Sequence, residues 1–175
     1  MSDQSPAVVG AEREGPIGLI GIDNPPVNAA SHAVRAGIVA ALATHEADPA
    51  VEVIALYGKG RTFIAGADIR EFGKPPQSPL LPAVCLRIEA AKKPVVALIH
   101  GTTLGGGFEV ALAAHARVAL AGTSMGFPEV TLGLLPGAGG TQRAPRLAGI
   151  KSALALITSG KRITADDALA NGLID

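Results

Sequence analysis

Short apolar segments of strand length alternate with longer segments of helical periodicity through most of this chain. Residues 51–57, 94–100 and 117–121 are apolar runs of the kind that strands buried on both faces require. Between such runs the apolar residues recur at helical spacing, as in the segment 31–46, for which Ser31 is a suitable N-cap. This alternation favours an α/β domain built on parallel strands.

The remaining segments fit a single domain, which is what 175 residues can form. The chain opens with two predicted strands, 8–12 and 18–22, joined by a turn at Gly15-Pro16. Further helices are predicted at 81–91, 108–114, 141–147, 152–158 and 165–170. Thr164 and Asp167 form a capping pattern for the last of these helices.

Composition and charge argue against several classes of partner and location. Fifteen basic residues balance fifteen acidic ones, so the net charge favours neither nucleic acid nor an anionic membrane. Met1 to Pro6 lack the basic and apolar regions of a secretion signal, and no apolar run reaches the roughly 18 residues of a membrane span. We therefore expect a cytoplasmic protein. The single cysteine, Cys85, has apolar neighbours that predict a buried structural thiol.

Two glycine-rich segments follow buried strands and are candidate ligand sites. The first is Ala65-Gly66-Ala67-Asp68, and the second is Gly105-Gly106-Gly107. Small residues let the backbone approach a ligand closely, and a helix that starts at such a loop leaves N–H donors unpaired. Two of these donors meeting at one point would form an oxyanion hole. The alternative is that the glycines only permit tight turns.

Glu109 and Glu129 are the candidate acid–base residues. Glu109 lies just inside the helix that the triple glycine opens, where the helix dipole favours an ionised carboxylate. Glu129 follows Phe127-Pro128, a pair that predicts the start of a short helix. A glutamate in a first helical turn can also serve only to complement the dipole, so the residues by themselves leave both interpretations open.

Other kinds of site fit the sequence less well. The glycine loops have neither the G-x-G-x-x-G nor the G-x-x-x-x-G-K-[ST] pattern of nucleotide-phosphate loops. The segment 122–126 matches the G-x-S-x-G pattern of serine hydrolases, but Pro128 follows too soon for the long helix that such a serine requires. The four histidines show no metal-ligand spacing and are expected to be structural or exposed: His32, His45, His100 and His115.

Several longer motifs resemble, in order and spacing, those of the crotonase (enoyl-CoA hydratase/isomerase) family. They are Asn24-Pro25-Pro26-Val27-Asn28-Ala29, Phe63-Ile64-Ala65-Gly66-Ala67-Asp68-Ile69, Gly105-Gly106-Gly107-Phe108-Glu109, Pro128-Glu129-Val130, the run from Leu135 to Gln142, and the segment from Gly160 to Asp175. The similarity covers nearly the whole chain. Within the family, residues 67–72 and 134–137 look most like the hydratase part of multifunctional fatty-acid oxidation enzymes.

This resemblance implies an α/β fold of the ClpP/crotonase type, a ββα spiral, with residues 1–175 forming its core. A family domain continues past the motif at 172–175 into several C-terminal helices, so the expectation is that this C-terminal helical part is missing. In the family those helices cover the acyl pocket and make subunit contacts. A homo-oligomer, which is a trimer or hexamer in the family, and full turnover are therefore less expected of this chain.

The resemblance also implies a site and a reaction. The backbone N–H groups of Ala67 and Gly106 would form the oxyanion hole, and Glu109 and Glu129 would be the catalytic carboxylates. The expected activity is hydration of trans-2-enoyl-CoA to 3-hydroxyacyl-CoA in β-oxidation, with no metal and no cofactor, since coenzyme A is part of the acyl-CoA substrate. The expected substrate-binding residues are Ala65, Gly66, Ala67, Asp68, Ile69, Arg70, Gly106, Pro128 and Gly137.

Two alternatives accompany this prediction. Enoyl-CoA isomerase is one, although the presence of both glutamates favours hydration. A non-catalytic acyl-CoA-binding module is the other, because the chain stops before the helices that the family adds. Arg143 and Arg146 are predicted to lie on a solvated helix face, with contact to a CoA phosphate as the alternative.

Overall fold

The structure is a computed structural model in which residues 7–175 are described. The prediction that Met1 to Pro6 are not a secretion signal lies outside the described residues. Within the described range, none of the helices has both the length and the apolar character needed to cross a bilayer.

Strands and helices alternate along the described chain, as the sequence predicts. The strands are β1 (Val9–Glu14), β2 (Ile17–Ile22), β3 (Val53–Gly58), β4 (Val95–Ile99), β5 (Thr102–Leu104), β6 (Ala116–Ala119), β7 (Ser124–Gly126) and β8 (Arg162–Thr164). The α-helices are α1 (His32–Ala47), α2 (Leu81–Glu89), α3 (Gly106–Ala113), α4 (Gly140–Ser159) and α5 (Ala165–Ala170). Two 3₁₀ helices, Ile69–Glu71 and Pro128–Leu132, lie in the connections.

The strands form two sheets. The larger has the order β1-β2-β3-β4-β6, and all its pairs are parallel except the β1–β2 hairpin. The smaller has the order β5-β7-β8, with β5 parallel and β8 antiparallel to β7. The predicted α/β domain with parallel strands is therefore confirmed, with an antiparallel edge added by the first hairpin.

Local sequence signals explain the ends of the helices. The Ser31 side chain accepts a hydrogen bond from Val34 N at 3.4 Å, so it caps α1 as predicted. Thr164 and Asp167 form the predicted capping box of α5, since each side chain accepts from the other's backbone N–H. The two helices expected at 141–147 and 152–158 are the two arms of α4, which breaks at Gly149, where φ is 77°.

Two of the largest buried side chains lie beside the candidate acid–base residues. Phe108 and Phe127 are both fully buried, and their ring centroids are 5.0 Å apart. Phe108 precedes Glu109 on α3, and Phe127 lies two residues before Glu129. This aromatic pair therefore joins the two segments that carry the glutamates, through packing that contributes beyond simple burial of area.

The smaller sheet was not predicted from the sequence. Its strands have only three residues each, and β5 lies inside the segment 101–107 that the sequence predicts as a glycine loop. Ser124, the serine of the G-x-S-x-G pattern, is the first residue of β7 and not the tip of a strand-to-helix turn. The serine-hydrolase alternative therefore lacks the geometry it requires.

Candidate active site

The two predicted glycine loops meet. Gly106 is the first residue of α3, where a helical N–H has no intrahelical acceptor. A Cβ placed on Gly106 would lie 3.6 Å from the backbone nitrogen of Ala67, so the two residues adjoin. Among the described residues, Ala67 N makes no hydrogen bond with a loop or side-chain acceptor. The two amides proposed for an oxyanion hole thus lie next to each other.

The loop that carries Ala67 is held by backbone contacts on both sides. Ala30 N donates to Gly66 O at 2.9 Å, and Ala65 N donates to Val27 O at 3.1 Å. On the other side, a Cβ on Gly107 would lie only 2.0 Å from Ile64 O. Glycine at 107 is therefore what lets α3 approach this loop closely, and the first glycine loop depends on the second.

Asp68 and Arg70 close the next turn of the same loop. Asp68 Oδ1 accepts from Arg70 N at 3.0 Å and from Arg70 Nε at 2.9 Å, which caps the 3₁₀ helix Ile69–Glu71. These contacts with Arg70 lower the pKa of Asp68 below its ordinary value. The Arg70 side chain remains 74% exposed, so its guanidinium faces solvent at the edge of the loop.

Glu109 lies buried at the point where α3 meets the start of α4. Its Oε1 accepts from Ala138 N and from Gly140 N, both at 2.7 Å. Burial raises the pKa of Glu109 above its ordinary value of 4.5, and the two N–H donors and the nearby charge of Arg143 only partly offset this. Burial is thus the largest influence on this carboxyl group, and the ionised state expected from the helix dipole stays a prediction.

Glu129 lies on the 3₁₀ helix Pro128–Leu132, beside the second glycine loop. Its Oε2 is buried and has no hydrogen-bond partner among the described residues. A Cβ on Gly105 would lie 2.7 Å from Glu129 Oε1, so this glycine leaves the room that the carboxyl group occupies. Burial raises the pKa of Glu129, and the negative charge of Glu109 raises it further. The two carboxyl groups are therefore electrostatic neighbours.

Three cavities border this loop, and Ala67 lines all of them. The smallest, about 140 Å³, brings together Ala67, Gly106 and Glu129 with four further predicted substrate-binding residues, Ala65, Gly66, Ile69 and Pro128. Two larger cavities of about 390 and 720 Å³ extend from Ala67 and Asp68.

Some predicted site residues are exposed or do not line the three cavities. Ile69 and Arg70 line the cavity of about 390 Å³, and both are exposed. Gly137 is exposed and lies outside the three cavities, next to Ala138. Glu109 is not among the residues that line any of the three cavities.

Arg143 was predicted on a solvated helix face, and this prediction is wrong. Its side chain is 9% exposed, and its guanidinium donates to Ala138 O at 2.9 Å and to Glu89 at 2.7 Å. Arg146, one turn further along α4, is exposed as predicted. The ion pair of Arg143 with Glu89 on α2 gives no local signal, because the two residues lie 54 positions apart in sequence.

The histidines bond to the backbone. His45 is buried and contacts Leu19 O at 3.2 Å, and His115 Nδ1 accepts from Val95 N at 3.0 Å. His32 and His100 each contact a loop carbonyl. Within residues 7–175, no group of three or more His, Cys, Asp or Glu side chains is arranged to hold a metal ion.

Comparison with known proteins identifies the family. Residues 12–175 match the family model described as enoyl-CoA hydratase/isomerase. The chain is 50% identical over 159 residues to a peroxisomal bifunctional enzyme of Danio rerio. The aligned region covers 91% of this chain and 22% of that protein. It is 40% identical over 167 residues to a peroxisomal fatty acid beta-oxidation multifunctional protein of Arabidopsis thaliana, covering 91% of this chain and 23% of that protein. A crystal structure of an enoyl-CoA hydratase from Thermoplasma volcanium superposes with a TM-score of 0.91 at 34% identity, over 100% of this chain and 73% of that one.

The chain belongs to the enoyl-CoA hydratase/isomerase, or crotonase, family. The predicted crotonase fold and the resemblance to multifunctional fatty-acid oxidation enzymes are both confirmed. The chain spans less than a quarter of the length of these two relatives. A cytoplasmic location stays a prediction, and both relatives carry peroxisomal names.

Proposed function

We propose that this chain hydrates trans-2-enoyl-CoA to 3-hydroxyacyl-CoA in β-oxidation. The observation that carries the proposal is the cavity that Ala67, Gly106 and Glu129 line together, with Glu129 Oε2 buried and without a hydrogen-bond partner among the described residues. A buried polar atom without a partner is costly, and at a functional site it is often satisfied by the ligand. The names of the relatives, which refer to enoyl-CoA hydratase and to fatty acid β-oxidation, support the same activity.

The adjacent amides suit the charge that develops during this reaction. Water adds to the β-carbon of an enoyl thioester only if the negative charge that moves onto the thioester oxygen is stabilised. Two preorganised N–H donors supply that stabilisation, and loss of one such donor typically costs about 2.7–4 kcal/mol. We place the thioester oxygen between Ala67 N and Gly106 N.

The two glutamates divide the proton transfers according to their hydrogen bonds. Glu109 Oε1 accepts from two backbone N–H groups, and such bonds stabilise the ionised form of a carboxyl group. Glu129 Oε2 has no such donor in the described part of the chain, and burial raises the pKa of this residue. We therefore assign Glu109 as the base that deprotonates the attacking water. Glu129 is the acid that protonates the α-carbon.

The two larger cavities give room for the two arms of the substrate. The cavity of about 390 Å³ is lined by Ala65 and by residues 67–70, which the family resemblance places on the coenzyme A side. The cavity of about 720 Å³ is also lined by Ala67 and by Phe72, Leu80 and Leu81, whose apolar side chains suit an acyl chain. Coenzyme A enters only as part of the substrate in this scheme.

Substitution of each carboxyl group by an amide tests the proposal. We expect Glu109→Gln and Glu129→Gln each to reduce hydration of crotonyl-CoA by about 10²–10⁴-fold, because each removes one positioned proton-transfer group. Formation of 3-hydroxyacyl-CoA is measured by chromatography, and binding of an acyl-CoA by calorimetry. Glu52→Gln, a change on the exposed start of the β3 segment, is the matched control and should leave both unchanged.

The other outcomes separate the alternatives. If the unsubstituted chain binds acyl-CoA but forms no 3-hydroxyacyl-CoA, the enzymatic proposal is wrong and the chain is a binding module. If it instead converts 3-enoyl-CoA to 2-enoyl-CoA without hydration, it is an isomerase. If hydration survives both glutamine substitutions, the roles of the glutamates are refuted.

A further inference from the structure

Arg143 is a buried cation close to the proposed base. Its side chain is 9% exposed, and its Nη2 donates to Glu89 Oε2 at 2.7 Å. Its Nη1 donates to the carbonyl oxygen of Ala138 at 2.9 Å. Taking a guanidinium out of water is expensive, so a buried arginine persists only where its contacts compensate.

These contacts lead directly to Glu109. The residue whose carbonyl Arg143 holds, Ala138, donates its own N–H to Glu109 Oε1, and Gly140 donates to the same oxygen. Gly139 lies between these two donors, with φ at 100°, and a Cβ there would come within 2.3 Å of Arg143 Nη1. The guanidinium therefore packs against the turn that aims both N–H groups at the carboxylate.

We propose that Arg143 is a positioning residue for Glu109: it anchors the 138–140 turn through the Ala138 carbonyl and places a fixed positive charge behind the carboxylate. This inference rests on the proposed role of Glu109 as the base. Arg143 reaches Glu109 through the 138–140 turn, so we assign it a role through Glu109 and not in contact with the substrate.

The charges around Glu109 come from three packed segments. Arg143 on α4 lowers the pKa of Glu109, opposing the effect of burial. Glu129 on the 3₁₀ helix is the neighbouring carboxyl group, and the charge of Glu109 raises its pKa. On α2, Glu89 pairs with Arg143, and Cys85 is a buried thiol whose pKa burial raises to about 12, so it is neutral at ordinary pH. Arg143 is thus the cation that helps Glu109 stay ionised.

Three variants test this role. Arg143→Gln removes the charge and should raise the pKa of Glu109, which moves the acid limb of the hydration pH profile to higher pH. Arg143→Lys keeps the positive charge, so the pKa of Glu109 should return most of the way to its value in the unsubstituted chain. Lysine cannot make the forked contacts of arginine, so the return should be incomplete. Arg146→Gln removes an exposed arginine of the same helix and should leave the pKa of Glu109 unchanged.

Two readouts keep the outcomes separate. The pKa of Glu109 is measured by NMR titration of its ¹³C-labelled carboxyl group, which needs no turnover. In the assay, kcat of Arg143→Gln should fall on the order of tenfold to a hundredfold, with KM nearly unchanged, because a displaced base slows the chemical step. Equal Glu109 pKa values in Arg143→Gln and Arg146→Gln would overturn the inference. Absence of hydration in the unsubstituted chain would instead refute the proposed function. The titration would still test whether Arg143 lowers the pKa of Glu109.

Discussion

Adding one methyl group at either of two neighbouring glycines should separate the stability of this fold from its activity. In Gly107→Ala the new Cβ would lie 2.0 Å from Ile64 O and 2.7 Å from Ile64 C, both backbone atoms. Real Cβ contacts are essentially never shorter than 3.0 Å, so the separation from Ile64 O has to grow by about 1 Å (3.0 minus 2.0). Helix α3 or the loop that begins at Ile64 must move.

The expected cost follows from two opposing effects. Overpacking of a well-packed core typically costs about 1–3 kcal/mol, and a backbone neighbour that cannot rotate away favours the upper part of that range. Replacement of glycine by alanine in a helix returns up to about 1 kcal/mol. The net loss should be about 2 kcal/mol, which for a chain of this size lowers Tm by about 4–8 °C.

Gly106→Ala is the matched control, because it adds the same atom one residue earlier. Its Cβ would meet Leu81 Cδ2 at 2.5 Å, which is the end of a flexible side chain, and it would lie 3.6 Å from Ala67 N. The side chain can move, so Tm should hardly change. The methyl group would occupy the space between the two amides, and hydration should fall by about 10²-fold or more.

Thermal unfolding followed by circular dichroism, together with the hydration assay, measures both effects. If Gly107→Ala unfolds at the same temperature as Gly106→Ala, the close approach of α3 to Ile64 is wrong. If Gly106→Ala hydrates crotonyl-CoA at the unsubstituted rate, the thioester oxygen does not bind between the two amides.

Two further predictions concern buried ionisable groups. Because the pKa of Glu129 is raised in the folded state, the folded chain binds more protons than the unfolded chain, and stability falls as pH rises above 4.5 through the folded pKa. Glu129→Gln should therefore raise Tm at pH 7 relative to the unsubstituted chain, and the gain should vanish below about pH 4.5; a gain that persists in acid would contradict the burial argument. Cys85 is buried with a pKa of about 12, so iodoacetamide at pH 8 should label it only in denaturant, and rapid labelling of the native chain would show that the thiol is accessible.

Local patterns in the sequence were sufficient for most of the fold. Residues close together in the chain form the caps at Ser31 and Thr164 and the apolar run of β4. Strands β5, β7 and β8 were missed because three residues carry too little periodicity to be recognised. Their pairing depends on partners that lie 22 to 40 residues apart, such as Thr102 with Ser124 and Ser124 with Thr164.

The motifs of the candidate site could be predicted from the sequence, but the contacts between them in three dimensions could not. The glycine loops and both glutamates could be identified from the chain, whereas the donors to Glu109 lie 29 and 31 residues beyond it. Arg143 was misassigned for the same reason. A basic residue on a helix is usually solvated, and only the positions of Glu89 and Ala138 show that this one is buried.

The two glutamates are best understood as a coupled pair. Burial raises both pKa values, and the charge of Glu109 raises the pKa of Glu129 further, so ionisation of Glu109 makes ionisation of Glu129 less favourable. Two backbone N–H donors and the Arg143 cation favour the ionised form of Glu109, whereas Glu129 has its own backbone N–H in that role. The proposed hydration would use this difference, with Glu109 as the base for the water and Glu129 as the acid for the α-carbon. The asymmetry of hydrogen bonding, more than the presence of two carboxyl groups, is therefore what we expect to set the direction of proton transfer.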